Sequence, residues 1–345
     1  MRGLVRSLVV AIIAIAAISC SGSPDRDAYL RSLKLKPEVL TALDSVSLEA
    51  YNHFQPNGIV DAADGWFVLS SLQGEYHLLF LNPENDEHFF AIRKGRGPGE
   101  IVSGADLHEY AGNARFYDFT SSKCIEIKLP ESIAAKVAVC DTVADFSGGE
   151  RPVYMSSCGP DRFVSGRISD DKVWYSLYDR HGKVLSSIDA IDINPRRKDI
   201  KGAMMLSSKY TSSRDGSRLC AANVLTPTIS FASVSDDIIS EVKRIRANSR
   251  GVDNGQFKDA VSRFNGICSD ENRVYVLYSG RMMADRTISS DECEHLVVYD
   301  WAGNPIHHYL LNRPVCAISV SGNDMYAVSA YPSEGMFRFE LPRDR

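Results

Sequence analysis

The sequence predicts an all-β protein, a six-bladed β-propeller with four-stranded blades, and three observations support this prediction. The first is a pattern that returns six times: a turn of Gly, Asn or Asp, then a short strand-like run rich in apolar residues. A near-constant period of about fifty residues indicates one supersecondary unit that is built repeatedly. The equivalent positions of the six copies are Trp66, Arg115, Arg162, Arg218, Arg273 and Met325.

The second observation is a hairpin pattern that lies between copies of the first, at residues 77–92, 174–191 and 296–311. Each hairpin has an apolar strand that ends in Asp or Asn, then a tight turn and another strand. The third observation is that almost no helical pattern separates these units. Together they give about four strands per repeat, which is typical of a propeller. A two-layer sandwich is the alternative, but it does not predict such a period.

Residues 1–19 have the features of a signal peptide. A positively charged start precedes an unbroken apolar run from Leu8 to Ile18, which is too short to cross about 30 Å of hydrocarbon as a helix. The run leads into Ala17-Ile18-Ser19-Cys20, which resembles the lipobox of bacterial lipoproteins. This resemblance implies cleavage before Cys20 and acylation of that cysteine, which would hold the protein at a membrane. The alternative is an ordinary secretory signal peptide with an incidental cysteine.

Residues 20–45 are interpreted as a lipidated tether followed by a short helix. The stretch after Cys20 is small and polar, as a flexible linker is, and Lys36-Pro37-Glu38 is typical of a helix start. The propeller domain is then 46–345. Because one blade alone cannot bury both of its faces, the ring must close. Val46–Tyr51 is the predicted closing strand, which would join the last blade.

The formal net charge is −5, and it becomes −7 once the two arginines of the signal peptide are removed. No basic cluster suggests a nucleic-acid partner. Seven cysteines follow Cys20, and none has the CxxC or Cys/His spacing of a zinc site. We therefore predict no metal and no cofactor. Most of these cysteines lie in strand-like runs and are interpreted as small buried apolar residues; one disulfide, Cys140–Cys158, is the alternative.

The densest local motif is RKGRGPGE at Arg93–Glu100, after the first blade. Its three glycines and one proline demand unusual backbone angles, and three cations surround them. Such a loop could offer backbone N–H groups and positive charge to an anion. It contains neither a Walker loop nor a dinucleotide fingerprint. The alternative is a connection between blades whose glycines serve only the turn.

The sequence GRGPGE at 95–100, together with YVLYSGR at 275–281, resembles a known family. That family is the six-bladed, TolB-like propeller lipoproteins of Bacteroidales, and the resemblance covers almost the whole mature chain. It implies a propeller fold and a place in the cell envelope as an outer-membrane lipoprotein, with the periplasmic or surface face left open. It implies no particular activity.

A search for catalytic motifs finds neither a complete HExxH zinc site nor a GxSxG nucleophile elbow. We therefore expect a binding module rather than an enzyme. Its site is predicted on one face, near the central channel, and rimmed by the Arg93–Glu100 loop and the insertions at 192–205 and 247–262.

Three arginines are predicted to contact the ligand: Arg93, Arg96 and Arg281. They would pair with an anionic or polyhydroxylated partner, such as a glycan, a peptide or an envelope protein. Two alternatives remain open at this point. One is a glycosidase or lyase that draws carboxylates from several blades into the channel. The other is a structural subunit of an envelope complex, which an exposed apolar patch would support.

Overall fold

The structure is a computed structural model, and it describes residues 24–52, 54–169, 172–191, 207–247, 261–283, 289, 291–331 and 333–342. The described part of the chain starts with a helix and two short strands before the first blade. These elements are α1 (Pro24–Ser32), β1 (Glu38–Leu40) and β2 (Asp44–Val46).

The first three blades follow in chain order, each with four antiparallel strands. Blade one contains β3 (Gly58–Asp61), β4 (Phe67–Ser70), β5 (Tyr76–Asn82) and β6 (Glu87–Arg93). Blade two contains β7 (Gly104–Tyr110), β8 (Asn113–Asp118), β9 (Lys123–Ile127), the helix α2 (Leu129–Ala135) and β10 (Cys140–Asp145). Blade three contains β11 (Met155–Ser157), β12 (Arg162–Ser169), β13 (Lys172–Asp179) and β14 (Val184–Ile191).

The last three blades repeat the arrangement. Blade four contains β15 (Ser208–Ser212), β16 (Arg218–Asn223), β17 (Thr228–Ser235) and β18 (Ile238–Arg246). Blade five contains β19 (Val261–Ser269), β20 (Arg273–Met282), β21 (Cys293–Asp300) and β22 (Pro305–Val315), with β1 added at its edge. Blade six contains β23 (Ala317–Ser321), β24 (Asp324–Val328) and β25 (Met336–Glu340), with β2 as its fourth strand.

The innermost strands form a closed ring, since β3, β7, β11, β15, β19 and β23 each contact the next and β23 contacts β3. The predicted six-bladed propeller is therefore confirmed. All six repeated positions lie near the start of the second strand of a blade. Trp66 directly precedes β4, and the other five are among the first three residues of their strands. The three predicted hairpins are the third and fourth strands of blades one, three and five.

The third strand of blade one shows how apolar sequence becomes a packed ring. From His77 to Asn82 every residue of β5 is buried. Side chains alternate between the two faces of a strand, so Leu79 and Leu81 pack with residues of blade six, while Leu78 and Phe80 pack with residues of blade two. A strand that is covered on both faces reads as a continuous apolar run, which is why the period is visible in the sequence.

Residues 24–45 are part of the ring, which differs from the predicted tether. The expected helix start at Lys36-Pro37-Glu38 is wrong, because β1 pairs there in parallel with β22. The helix α1 lies earlier in the chain, and Tyr29 on it is fully buried. The Tyr29 ring packs against Phe264 and Tyr278 of blade five, and its hydroxyl hydrogen-bonds to that of Tyr299.

The ring closes through β2, which pairs with β25 in antiparallel register, from Asp44 opposite Arg338 to Val46 opposite Met336. The predicted closing strand, Val46–Tyr51, is therefore displaced: the strand ends where it was expected to begin. Leu48 and Tyr51 are buried in the core between blades six and one instead. Both residues are apolar because they are buried, as expected for a closing strand, but they lie in turns rather than in a strand.

We call the end of the ring at which the innermost strands begin the upper face. Because strands alternate in direction, the connections from each outermost strand to the next blade also lie there, including the Arg93–Glu100 loop. The strands β14 and β18 end at this face too. The predicted insertions that follow them lie outside the described residues, 192–205 entirely and 247–262 for the most part.

The seven cysteines after Cys20 are all unpaired. Five are buried, Cys268 is partly buried and Cys140 is exposed on β10. The interpretation of most cysteines as buried apolar residues is confirmed, and the alternative Cys140–Cys158 disulfide is absent. Within the described residues, none of the helices has the length and apolar character needed to span a bilayer.

Candidate ligand-binding site

A cavity of about 890 Å³ follows the axis of the ring. It is lined by residues of all six innermost strands, so it is the central channel of the propeller. Its size is that of small-molecule sites in proteins, which commonly occupy about 300–1,000 Å³.

Asp106 is the most unusual residue of the channel wall. It lies on β7 at a bulge, where the register against β8 shifts between Ala105 and His108. Its φ is 55°, in the left-handed region that non-glycine residues rarely adopt. Its carboxylate accepts a hydrogen bond from the backbone N–H of Met155 (Oδ2···N 2.9 Å). The bulge thus turns this carboxylate towards blade three and the channel.

The environment of Asp106 disfavours its charge. Burial raises the pKa of the carboxyl from 3.8 to about 6, and the Lys209 ammonium and the Met155 N–H act in the opposite direction. A strained backbone and a partly desolvated carboxylate both lower the stability of the fold. Features with such a cost concentrate at functional sites.

His108, which also lines the channel, holds the bulge in place. Its Nδ1 lies 2.8 Å from the backbone oxygen of Asp106, and its Nε2 accepts a hydrogen bond from the Ser157 N–H at 3.1 Å. A ring nitrogen that accepts cannot carry a proton, so Nδ1 carries it and donates to Asp106. Burial lowers the pKa of His108 to about 4, which keeps the imidazole neutral at pH 7.

Lys209 on β15 supplies the opposite charge. Its side chain is half-buried and lines the cavity. Within the described part of the chain, its ammonium has neither a hydrogen bond nor an ion pair, so its donors face the channel. Asp106 and Lys209 both lie near the start of their strands, and hence near the upper face. The pair offers an acceptor and a donor group to one ligand.

The rest of the channel is predominantly acidic. Most of its other charged groups lie at the ends of innermost strands or in the turns that follow, and hence near the opposite, lower face. These lining residues are Asp61, Glu109, Arg214, Asp270 and Glu271, with Asp291 at the upper end. An excess of carboxylates disfavours a strongly anionic ligand and favours one that brings hydroxyl or ammonium donors.

A second perturbed carboxyl lies in the wall behind the channel. Glu292 is 1% exposed, and its Oε1 accepts hydrogen bonds from the Ser329 hydroxyl (2.9 Å) and the Ala330 N–H (2.6 Å). Burial raises the pKa of Glu292 to about 7. Its neighbour in sequence, Asp291, lines the cavity whereas Glu292 does not, so we assign Glu292 to the wall rather than to the ligand site.

A comparison of the sequence with models of protein families agrees with the propeller geometry. The model of the family described as TolB-like 6-blade propeller-like matches residues 60–323. The chain belongs to the TolB-like propeller family. No curated protein matches its sequence.

Solved structures resemble this TolB-like propeller in fold. The WD40 domain of Pan2 from Neurospora crassa is 11% identical, covers 90% of this chain and 99% of that domain, and has a TM-score of 0.50. Regucalcin, a calcium-binding protein from Agrobacterium tumefaciens, is 14% identical. The match covers 89% of this chain and 95% of the regucalcin chain, with a TM-score of 0.47. At such low identity these likenesses show the fold alone.

The three arginines predicted from the sequence do not line the channel of the TolB-like propeller. Arg93 is exposed and pairs with Glu75 at 2.7 Å, and Arg96 is also exposed. Arg281 is nearly buried and pairs with Glu294 at 2.6 Å. The structure does not bring them together with Asp106 and Lys209. A ligand contact by these arginines stays a prediction.

The glycine-rich loop has an internal explanation. The backbone N–H of Gly97 donates to Oε2 of Glu100 at 2.8 Å, and a side chain at Gly95 would collide with the same carboxylate. The loop therefore surrounds a carboxylate of its own, in the place where an external anion was predicted. This arrangement favours the alternative interpretation, a connection between blades.

Asp106 and His108 have opposite effects on the pH dependence of stability, and this can be tested. The raised pKa of Asp106 contributes stability that is lost as the pH rises from about 4 to 6, whereas the lowered pKa of His108 contributes stability that is lost as the pH falls from about 6.5 to 4. We expect Asp106→Asn to raise the free energy of unfolding at pH 7 by up to about 3 kcal/mol. Its stability should then fall more steeply than that of the wild type from pH 6 to pH 4.

Urea denaturation at pH 4, 5, 6 and 7 measures both effects. Asp64→Asn is the matched control, because Asp64 has the same left-handed backbone, with φ 50°, but an exposed side chain. Parallel pH profiles for Asp106→Asn and the wild type would contradict the prediction.

Proposed function

We propose that this protein is an envelope lipoprotein, anchored to the outer membrane through Cys20, that binds a small polar ligand in its central channel. The ligand is zwitterionic or polyhydroxylated, with a donor for Asp106 and an acceptor for Lys209. The observation that carries the proposal is the arrangement of Asp106 in the channel wall, where a left-handed backbone and a carboxyl with suppressed ionisation both lower the stability of the fold.

The charges that act on Asp106 support binding rather than hydrolysis at this carboxyl group. A glycosidase needs two carboxyl groups about 5–10 Å apart, whereas the charge that acts on Asp106 is the Lys209 ammonium. A charge-assisted hydrogen bond contributes about 1.5–3 kcal/mol when it replaces contacts with water. Two such contacts in a partly enclosed channel are enough to hold and orient a small ligand.

Isothermal titration calorimetry with a panel of amino acids, dipeptides and short oligosaccharides tests the proposal. We expect at least one compound to bind, and Asp106→Asn and Lys209→Met each to weaken its affinity by about 10- to 100-fold. Asp106→Asn should lose binding while gaining stability, which separates a ligand contact from a folding defect. Because the pKa of Asp106 is raised to about 6, affinity should also increase from pH 5 to pH 7.

Asp64→Asn and Lys123→Met are the matched controls, since both side chains lie outside the channel lining. They should bind as the wild type does. Equal affinities for the channel variants and these controls would place the ligand elsewhere on the propeller.

A further inference from the structure

The outer edge of blades four and five combines basic residues with exposed apolar side chains. It consists of α1, the segment 33–43 that follows it, and β18, and we call it the blade 4–5 edge. The helix is fixed to the propeller, because Tyr29 lies 4.6 Å from the Tyr278 ring and 5.2 Å from the Phe264 ring. Ile245 of β18 packs on the same cluster, so these elements are adjacent.

This edge lies close to the predicted anchor. Only four peptide steps separate Cys20 from Pro24, where α1 begins. A fully extended chain spans at most about 3.6 Å per residue, so these steps reach no further than about 14 Å. An acylated Cys20 therefore keeps Pro24, at the start of α1, within about 14 Å of the bilayer surface.

The edge is positively charged in a protein of negative net charge. The segment from Ala28 to Pro37 has no acid, and its Arg31, Lys34 and Lys36 are exposed. Taken together, residues 24–43 and β18 carry seven cations against four acids. The cations are Arg26, Arg31, Lys34, Lys36, Lys243, Arg244 and Arg246, and the acids are Asp25, Asp27, Glu38 and Glu241.

The same edge exposes large apolar side chains. Val39 is 65% exposed on β1. On β18, Ile238 is 58% and Val242 is 53% exposed. Apolar side chains among lysines are what a bilayer interface accommodates, since the apolar groups enter the headgroup boundary and the cations meet anionic lipids.

We propose that the blade 4–5 edge rests on the membrane and binds anionic lipid headgroups, so that the channel axis lies along the bilayer surface. The proposal rests on the anchoring of Cys20 that is part of the proposed function. The short connection to the anchor fixes which edge faces the bilayer, and the charge and apolar side chains provide the contact.

Lysine acetylation of the full-length lipidated protein tests this orientation. The protein is bound to vesicles of phosphatidylethanolamine and phosphatidylglycerol, or kept in detergent, and labelling is read by mass spectrometry. We expect the labelling of Lys34 and Lys36 to fall several-fold on vesicles. Lys123 and Lys136 of blade two, on the opposite side of the ring, should label equally in both states.

A charge-reversed variant, Lys34→Glu with Lys36→Glu, provides the second measurement. It should still float with vesicles through its acyl chains, while Lys243, whose labelling should also fall when the wild type binds vesicles, keeps the reactivity that it has in detergent. Unchanged labelling of Lys34 and Lys36 in protein that floats would overturn the proposal. Labelling of intact envelopes provides a further comparison. Protection of Lys34 and Lys36 in envelopes but not on vesicles would also overturn the proposal, because it would assign the edge to a protein partner. A protein that does not float at all would refute the anchor, and the orientation with it.

Discussion

Replacing Arg115 by alanine is expected to lower the free energy of unfolding by about 3–5 kcal/mol, the range for breaking a buried ion pair. Arg115 is 3% exposed and joins blades two and three. Its Nε donates to Glu126 at 2.9 Å, and its Nη1 donates to the Ser157 hydroxyl at 2.9 Å and to the Gly159 carbonyl at 3.2 Å. Alanine would remove a donor from the buried Ser157 hydroxyl and Gly159 carbonyl, and the charge partner of the partly buried Glu126.

Guanidinium denaturation of Arg115→Ala measures the loss, and two variants serve as controls. Arg115→Lys keeps the charge but not the forked geometry, so most of the loss should remain. Arg180→Ala removes an exposed ion pair with Asp161, for which at most about 1 kcal/mol is expected. A loss in Arg115→Ala no larger than that in Arg180→Ala would show that the network contributes little.

The second large effect is expected for Gly335→Ala, which should open the ring where it closes. Gly335 has a φ of 72°, and a Cβ at this position would lie 1.9 Å from the backbone oxygen of Val46. The variant therefore suffers the left-handed backbone penalty, about 1–2 kcal/mol, and also has to displace β2. We expect a total loss of at least about 3 kcal/mol.

Gly322→Ala separates the two contributions. Gly322 has a similar φ of 60°, but a Cβ there would meet no atom within 4 Å. It should lose only the backbone penalty. Limited proteolysis adds a local readout, because a displaced β2 exposes residues 24–52 to cleavage. The interpretation fails if the two variants are equally stable and equally resistant to protease.

The propeller could be predicted from the sequence because its blades are local. Each blade is a run of about fifty residues, and turns and buried strands leave a pattern within that length. Arg218 and Arg273, for example, each begin the second strand of a blade, as their spacing predicts. The closing strand was misplaced by a few residues because its partner, β25, lies at the other end of the chain. The same applies to β1. Pro37 is typical of a helix start, but the segment that follows it pairs with the edge of blade five, which is distant in sequence.

The candidate site could not be predicted, because it is assembled from several blades. Asp106 and Lys209 are separate residues on strands two blades apart, and neither belongs to a motif. Asp106 also depends on a bulge, which changes the face to which a strand residue points and leaves no clear mark in the sequence. The glycine-rich loop was conspicuous for the opposite reason: its unusual residues are contiguous, yet they enclose their own Glu100.

The closure of the ring by β2 has a consequence for the order of folding. Arg338 and Asp44, which meet across this junction, are 294 positions apart in the chain. Residues 24–46 are synthesised well before their partners in blades five and six. Contacts of such long sequence separation form slowly, because much of the chain must be ordered before they can be gained. We therefore expect Tyr29 and Leu33 to remain uncovered until blade five is complete, so that the nascent protein exposes these two side chains while the intervening blades are made.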